Sequence, residues 1–292
     1  MAIEERDSHT GYLTTGHEWN GIKELNTPVP KAVYVFLIAT VVFTVAYIVL
    51  MPAIPLGVTF TKGLLGLDDR REVTRAVEDA AAERAVWTKR IETGSYQDVA
   101  ADPALMRSVR QTGRTLFTDN CAVCHGTDAK GGHGYPSLVS GSPLWGSDAD
   151  SIAETIRVGI NATHPKTRVG QMLAFGRDGI LQRADVDNVL DYVLTLSGQP
   201  PVRKATPEQL AAGKATFAAQ CVSCHGEDGK GKADLGAPDL TDRHWIYGGD
   251  AQSILTTIWN GRQGHMPSWE DRLSPVDRKI LTLYLMDLRK SP

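Results

Sequence analysis

Two short segments of the chain carry the same reactive side chains in the same order. CAVCH runs from Cys121 to His125, and CVSCH runs from Cys221 to His225. All four cysteines of the chain lie in these two segments. No cysteine therefore remains for a disulfide framework or for a lone catalytic nucleophile.

The spacing within each segment favours covalent attachment of a c-type haem. In Cys-X-X-Cys-His the two thiols can form thioether bonds to the vinyl groups of a haem, and the adjacent histidine can bind the iron. A structural zinc site usually has its cysteine pairs about 15–20 residues apart, far closer than the pairs here. A redox-active dithiol is typical of a βαβ context, which this sequence lacks. The residues predicted to hold two haem c groups are Cys121, Cys124 and His125 in the first copy and Cys221, Cys224 and His225 in the second.

Two methionines are candidates for the sixth iron ligands. Met172 in VGQMLAFG and Met266 in QGHMPSW lie in matching loops, between a short helix and the closing helix of each copy. A methionine opposite histidine raises the haem potential, which suits electron transfer. The alternative is a buried methionine that fills a gap in the core, and His164 and His265 are rival ligands. The matching positions of the two loops favour Met172 and Met266 as the sixth iron ligands.

The two segments belong to a longer internal repeat. Gly113, Phe117 and Trp145 each have an identical residue one hundred positions later. Each copy is predicted to contain a helix that leads into the cysteine pair, a glycine-rich loop, a short helix, an extended loop and a closing helix. Proline and polar residues between Ser197 and Gln209 are typical of a linker between domains.

An apolar segment near the N-terminus is long enough to cross a membrane. Residues 32–51 contain no charged side chain, and twenty helical residues span about 30 Å, the thickness of the hydrocarbon core of a bilayer. Pro30 and Pro52 flank the segment, as expected at the ends of a helix. The polar residues that precede it are too numerous for a cleaved signal peptide. The sequence predicts a single membrane anchor.

The chemistry of haem attachment orients this anchor. The positive charges lean weakly towards the opposite orientation, with Lys23 and Lys31 before the span against Lys62, Arg70 and Arg71 after it. Thioether attachment of haem takes place outside the bacterial inner membrane, so we expect the haem domains in the periplasm and the N-terminus in the cytoplasm. The predicted segments are a cytoplasmic N-terminal segment (1–31), a transmembrane anchor (32–51), a periplasmic spacer with an amphipathic helix (52–107), a first haem domain (108–199) and a second haem domain (205–292).

Charge and composition exclude nucleic-acid binding, and the membrane span offers no site for oxygen reduction. The net charge is −3, and no block of the chain is basic enough to bind a nucleic acid. Residues 32–51 hold no ionisable side chain besides Tyr34 and Tyr47, so the span offers neither metal ligands nor a proton relay. We therefore expect no catalytic residues in this chain and no enzymatic activity of the chain on its own.

The sequence also resembles a known family. Each haem copy resembles class I cytochrome c, and residues 17–57, HEWNGIKELNTPVPKAVYVFLIATVVFTVAYIVLMPAIPLG, closely resemble the anchor of the dihaem subunit, CcoP or FixP, of cbb3-type cytochrome c oxidases. This resemblance implies a mainly α protein, with a single N-terminal transmembrane helix followed by two tandem class I cytochrome c domains. It also implies Met172 and Met266 as iron ligands, each serving either the haem of its own copy or the haem of the other.

The function implied is electron transfer within a terminal oxidase. Electrons would come from a cytochrome bc complex or a small cytochrome c and pass towards a membrane-bound monohaem subunit and a haem–copper catalytic subunit, which reduces oxygen to water. The alternatives are a dihaem enzyme of the peroxidase type, a gas sensor, and an electron carrier of another respiratory complex. A peroxidase or a sensor needs an iron with an open position, against which the two loop methionines argue.

Overall fold

The computed structural model describes residues 5–141, 143–202 and 204–290. It divides into two compact units, an N-terminal unit of residues 1–82 and a C-terminal unit of residues 83–292. The ends of the predicted segments 1–31 and 205–292, at residues 1–4 and 291–292, lie outside the described residues. Helices account for most of the regular structure, as the sequence predicts.

The N-terminal unit begins with an antiparallel hairpin. Strands β1 (Thr14–Trp19) and β2 (Ile22–Leu25) are joined at Asn20 and Gly21. Both turn residues have positive φ, at 50° and 85°, which asparagine and glycine tolerate best and which matches the twist of a two-residue hairpin turn. Because nearly every hairpin side chain is exposed, the hairpin contributes no core of its own.

Helix α1 (Lys31–Leu50) covers the predicted membrane anchor. It is long and apolar enough to cross a bilayer, and none of its side chains is buried. The chain then folds back on the end of α1, where the N–H groups of Leu64 and Leu65 donate to the carbonyls of Val49 and Leu50 at 2.9 and 3.1 Å. These bonds satisfy carbonyl groups that the end of a helix otherwise leaves without partners.

Helix α2 (Asp69–Thr93) lies within the predicted spacer segment, residues 52–107. Only its C-terminal end packs on a core, where Ile91 is fully buried and Trp87 lies against the same cluster. Val73 and Val77, nearer the start of the helix, are exposed.

The remaining helices lie in the C-terminal unit. Their bounds are α3 (Tyr96–Ala101), α4 (Pro103–Asn120), α5 (Ala122–His125), α6 (Ala149–Val158), α7 (Arg183–Leu196), α8 (Pro207–Gln220), α9 (Val222–His225), α10 (Ala251–Asn260) and α11 (Pro275–Lys290). The short helices α6 and α10, one in each copy, start in the same way. Asp148 caps α6 and Asp250 caps α10, each through a carboxylate that accepts a backbone N–H three residues on.

The two copies exchange their closing helices. Helix α11, which ends the second copy, packs on α4 and α6 of the first copy. Helix α7, which ends the first copy, packs on α8 and α10 of the second copy. We call α4, α5, α6 and α11 the first helix group, and α8, α9, α10 and α7 the second helix group. Each group therefore combines segments from both sequence repeats.

Repeated glycines allow the helices of each group to cross closely. A Cβ atom at Gly113 in α4 would lie 2.7 Å from the Cβ of Tyr284 in α11. At Gly213 in α8, a Cβ atom would collide with the backbone of Asn188 and lie 3.1 Å from the Cβ of Tyr192, both in α7. A side chain at either glycine would force the two helices apart, so these positions require a residue without Cβ.

Each helix group has its own buried core. Phe117, Ile156 and Leu281 belong to the core of the first group. Phe217, Val189 and Ile258 belong to the core of the second. The phenylalanines occupy equivalent positions one turn before each cysteine pair, so the two cysteine pairs lie at the edges of two similar cores.

Candidate haem sites

Both Cys-X-X-Cys-His segments form a single helical turn directly after a longer helix. The N–H of Cys121 donates to the carbonyl of Phe117 at 2.8 Å, and the N–H of His125 donates to the carbonyl of Cys121 at 3.0 Å. Gly126 ends the turn with a φ of 76°. The second segment repeats this arrangement, with Gly226 at the same φ. A single turn keeps both thiols and the imidazole of each segment close together.

The two histidines are prepared to bind a metal through Nε2. The Nδ1–H of His125 donates to the carbonyl of Pro136 at 3.0 Å, and that of His225 donates to the carbonyl of Pro238 at 3.0 Å. This bond fixes the tautomer and leaves the Nε2 lone pair available, as is usual for ligand histidines. Burial lowers the pKa of both imidazoles, although the carbonyl hydrogen bonds oppose the effect. Both rings are therefore neutral at pH 7.

The thiols do not resemble those of a redox-active dithiol. Burial raises the pKa of Cys121 and of Cys221 to about 11, with a smaller contribution from the second cysteine of each pair. A reactive dithiol has a depressed thiol pKa instead. Among the described residues, no three His, Cys, Asp or Glu side chains group together as a metal-ion site. Thioether attachment fits these cysteines better than either alternative.

The first cysteine pair opens into a cavity of about 400 Å³. Cys121, His125 and Trp145 of the first copy line it, and Met266 of the second copy lines it as well. Much of the wall is apolar and includes Phe117. The cavity thus brings a cysteine, the histidine and a methionine thioether to one space.

The second helix group shows the reciprocal arrangement. Met172 of the first copy packs against the core that includes Phe217 and Cys221 of the second copy. His225 is buried in the same group, with 9% of its surface exposed. Each cysteine pair therefore shares a core with the loop methionine of the other copy. The sequence could not distinguish this exchange from pairing within each copy.

Backbone hydrogen bonds fix the exchanged methionines. Ile160 and Met266 exchange two N–H···O bonds of 2.9 Å, and Met172 and Arg262 exchange bonds of 2.8 and 3.0 Å. Ile160 and Arg262 both follow the glycine that ends the short helix of their own copy. Each methionine is thus held by the end of the short helix in the group whose core it joins.

A buried donor atom provides an independent test of whether a haem fits. The Nε of Arg168 is buried and has no hydrogen-bond partner in the described part of the chain. Its guanidinium lies over the ring of Trp145, 5.1 Å from the ring centroid, and Trp145 lines the cavity. A buried donor without a partner is costly, and a propionate of a haem is the type of group that would satisfy it. The residues present therefore fit a haem.

The rival histidines are engaged elsewhere. The Nε2–H of His164 donates to the carboxylate of Glu270 at 2.6 Å, and its Nδ1 accepts the N–H of Lys166 at 3.0 Å. Both ring nitrogens of His164 are thus in use. The ring of His265 is exposed, and its Nδ1–H donates to the carbonyl of Asn161. Neither histidine lines the cavity beside His125.

Glu270 joins the two copies through side-chain hydrogen bonds. Its carboxylate accepts hydrogen bonds from His164 and, at 2.7 Å, from Arg157, both of which belong to the first copy. Arg157 also pairs with Glu154 one turn away in α6. Sequence patterns do not reveal this group or Arg168, because neither has a counterpart in the repeat. Arg157 and His164 are more than a hundred residues from Glu270 in the chain, and the contact of Arg168 with Trp145 depends on the fold.

We expect replacement of Glu270 by glutamine to destabilise the C-terminal unit in a pH-dependent way. Arg157 and then His164 lower the pKa of Glu270 from its ordinary value of 4.5 to about 2. The ion pair therefore stabilises the fold above pH 4.5, and this contribution is lost as the pH falls towards 2. The melting temperature of the variant should lie below that of the unaltered chain at pH 7, and the difference should shrink below pH 4.5.

Glu154→Gln is the matched control for this change. It removes a partner of the same Arg157, but the pair that it breaks lies within one helix and joins no two copies. Its effect at pH 7 should be smaller. Equal melting temperatures of the Glu270 variant and the unaltered chain at pH 7 would contradict the role given to Glu270.

A chain with two such turns, each in its own helical core, is a cytochrome c with two domains. The family models agree with this class and refine it. Residues 11–58 match the N-terminal domain of the FixP protein of cbb3 cytochrome oxidase. Residues 111–197 match cytochrome c, and residues 208–285 match cbb3-type cytochrome c oxidase subunit III.

Curated relatives match over nearly the whole chain. The cbb3-type cytochrome c oxidase subunit FixP of Bradyrhizobium sp. (strain ORS 278) is 44% identical, with 97% of each chain covered. The subunit CcoP of Azospirillum brasilense is 39% identical over 99% of each chain, and that of Cereibacter sphaeroides is 38% identical over 94% of each. The chain therefore belongs to the FixP/CcoP family of cbb3-type cytochrome c oxidase subunits.

These findings confirm the family and the fold class predicted from the sequence. The protein is a membrane-anchored subunit of an oxidase complex, mainly helical, with a candidate transmembrane helix near its N-terminus and two cytochrome c domains that imply covalently bound haem c. The segment boundaries and the assignment of individual ligands stay predictions.

Proposed function

We propose that this chain is a non-catalytic electron relay that holds two haem c groups in a cbb3-type oxidase. It accepts electrons from a cytochrome bc complex or a small cytochrome c. It passes them towards a monohaem subunit and a haem–copper subunit that reduces oxygen to water. The observation that carries the proposal is that each cysteine pair shares its core with a loop methionine, which supports two fully ligated irons.

The proposed ligands follow the exchange of the closing segments. Cys121, Cys124 and His125 hold the first haem, with Met266 as its distal ligand. The second haem is held by another set of four residues, namely Cys221, Cys224, His225 and Met172. The location of Met266 in the first cavity and the packing of Met172 on the second core support this pairing.

Each part of the site has a distinct task. A bound haem supplies an iron that cycles between the ferric and ferrous states. The carbonyls of Pro136 and Pro238 accept Nδ1–H of the two histidines, which would leave each Nε2 free to bind a haem iron. The methionine thioether favours the ferrous state and raises the potential. The apolar wall around the first site limits the entry of water.

The proposed location follows from the chemistry of haem attachment. Helix α1 crosses the bacterial inner membrane once, with residues 1–31 in the cytoplasm and both haem domains in the periplasm. The absence of charged side chains between residues 32 and 50 supports a helix in contact with lipid and with the larger membrane subunits. No nucleic acid takes part.

Oxygen uptake by the isolated full-length chain tests the proposal. With ascorbate and a mediator as the electron source, the haems should be reduced rapidly while oxygen consumption stays at the background rate. Uptake should appear once the haem–copper and monohaem subunits are added. An intact mass that exceeds the chain by two haems establishes that the sample is fully loaded.

Two results would contradict the proposal. Sustained oxygen uptake by the chain alone, or peroxide-dependent oxidation of a reduced cytochrome, would identify a dihaem enzyme. Co-purification in mild detergent with a respiratory complex that lacks a haem–copper subunit would instead indicate a carrier of another complex.

A further inference from the structure

One side-chain amide lies between the two methionine loops. Asn161 follows the short helix α6 of the first copy and has a φ of 49°. Asparagine tolerates this left-handed conformation better than most residues. Its position places the amide where the loops that carry Met172 and Met266 approach each other.

Asn161 closes the loop of its own copy. Its Nδ2–H donates to the carbonyl of Gly170 at 2.8 Å, and its Oδ1 accepts the N–H of Gly170 at 3.2 Å. The backbone N–H of Asn161 donates to the carbonyl of Arg168 at 2.8 Å. Gly170 lies two residues before Met172, so these bonds fix the start of the segment that carries this methionine.

The same amide holds the loop of the other copy. The Nδ2–H of the Asn161 side chain also donates to the carbonyl of Gly264 at 2.7 Å. The backbone carbonyl of Asn161 accepts the Nδ1–H of His265 at 3.0 Å. Gly264 lies two residues before Met266. The amide therefore bonds the two loops at equivalent positions, each two residues before its methionine.

The amide of asparagine suits this place chemically. Two N–H groups and one carbonyl oxygen on a short side chain satisfy three backbone groups from two loops. An aspartate of the same shape keeps the acceptor but has no N–H to donate. The equivalent position in the second copy is Gln263, which is exposed. The protein thus uses one asparagine to serve both loops.

We infer that Asn161 is a shared positioning residue, which holds the thioethers of Met172 and Met266 against both haem irons at once. This inference rests on the proposed ligation of the two irons. Loss of the amide should loosen both loops together, although Asn161 itself lies in only one copy. Each hydrogen bond removed from a loop weakens its hold by a factor on the order of ten.

The test uses Asn161→Ala and Asn161→Asp in the full-length chain with both haems attached. The sulfur-to-iron charge-transfer absorption of the ferric protein reports methionine ligation, and added imidazole competes with the thioether for the iron. Both variants should bind imidazole about tenfold more tightly at both haems. The Asp variant keeps the side-chain volume, so it remains informative if the Ala variant folds poorly.

Gln263→Ala is the matched control and should leave imidazole binding unchanged at both haems. An effect of the Asn161 variants on one haem only, or on neither, would overturn the inference while leaving the proposed function intact. If the unaltered chain itself showed no sulfur-to-iron absorption, methionine ligation would be wrong, and the inference would fall with it.

Discussion

A chain that ends at residue 202 should attach one haem through Cys121 and Cys124, yet show no sulfur-to-iron absorption. This shortened chain contains the whole first copy, with its cysteine pair, its histidine and its own Met172. It lacks Met266 and helix α11, which belong to the first helix group in the structure. The iron should therefore lack a methionine and bind added imidazole or carbon monoxide readily.

The loss of α11 should also unfold much of the first helix group. Four aliphatic side chains of α11 are buried, Ile280, Leu281, Leu283 and Leu285. Burial of one such side chain stabilises a protein by about 1.5–3 kcal/mol. Together the four approach the total stability of a typical domain, about 5–15 kcal/mol. Helix α7 would in addition lose the surface of α8 on which it packs.

Expression of the missing residues as a separate chain is the control for the truncation. Residues 203–292, expressed as a second chain in the same cells, should pair with residues 1–202 and restore the sulfur-to-iron absorption. A normal methionine-ligated spectrum in residues 1–202 alone would show that the first copy is complete in itself. The exchange of closing segments would then be wrong.

Replacement of Met266 by leucine should remove the methionine from the haem of the first cysteine pair. In a chain that carries Cys221→Ala and Cys224→Ala, only this haem is attached, and Met266→Leu should abolish its sulfur-to-iron absorption. The potential should fall by a few tenths of a volt, since axial ligands set haem potentials over a range of about 0.8 V. Redox titration and the ferric spectrum measure both effects.

Two further leucine variants in the same single-haem chain sharpen the comparison. Met172→Leu should leave the spectrum of the remaining haem intact, because Met172 packs in the second helix group. Met106→Leu changes a buried methionine in the core of the first group and should cost stability without altering ligation. Loss of the absorption in the Met172 variant, with retention in the Met266 variant, would establish ligation within each copy.

Local sequence patterns predict the candidate attachment residues and most helices, because the residues that define each of them lie close together in the chain. The thiols and imidazole of each Cys-X-X-Cys-His turn lie within five residues, and the apolar run of α1 is continuous. Capping residues such as Asp148 and Asp250 mark helix starts in the same local way.

The partner of each closing helix could not be predicted in this way. Gly113 and Gly213 lie in equivalent helices, α4 and α8. Gly113 faces α11 and Gly213 faces α7, and these two closing helices are also equivalent in the repeat. Packing of each closing helix within its own copy or on the other copy would therefore satisfy the same sequence pattern. The contacts of Asn161 and Glu270 have no signature in the repeat, because each joins residues about a hundred positions apart.

The exchange of closing helices also determines the order in which the two helix groups can be completed while the chain is being synthesised. At about 5–20 residues per second, the roughly 150 residues between Cys121 and the start of α11 take about 8–30 s to synthesise. Through that interval the first cysteine pair has no α11 to close over it. The second pair meets its closing helix sooner, since α7 has been made before α8 and α9 appear. The first candidate haem site is therefore begun first and closed last, when α11 is made.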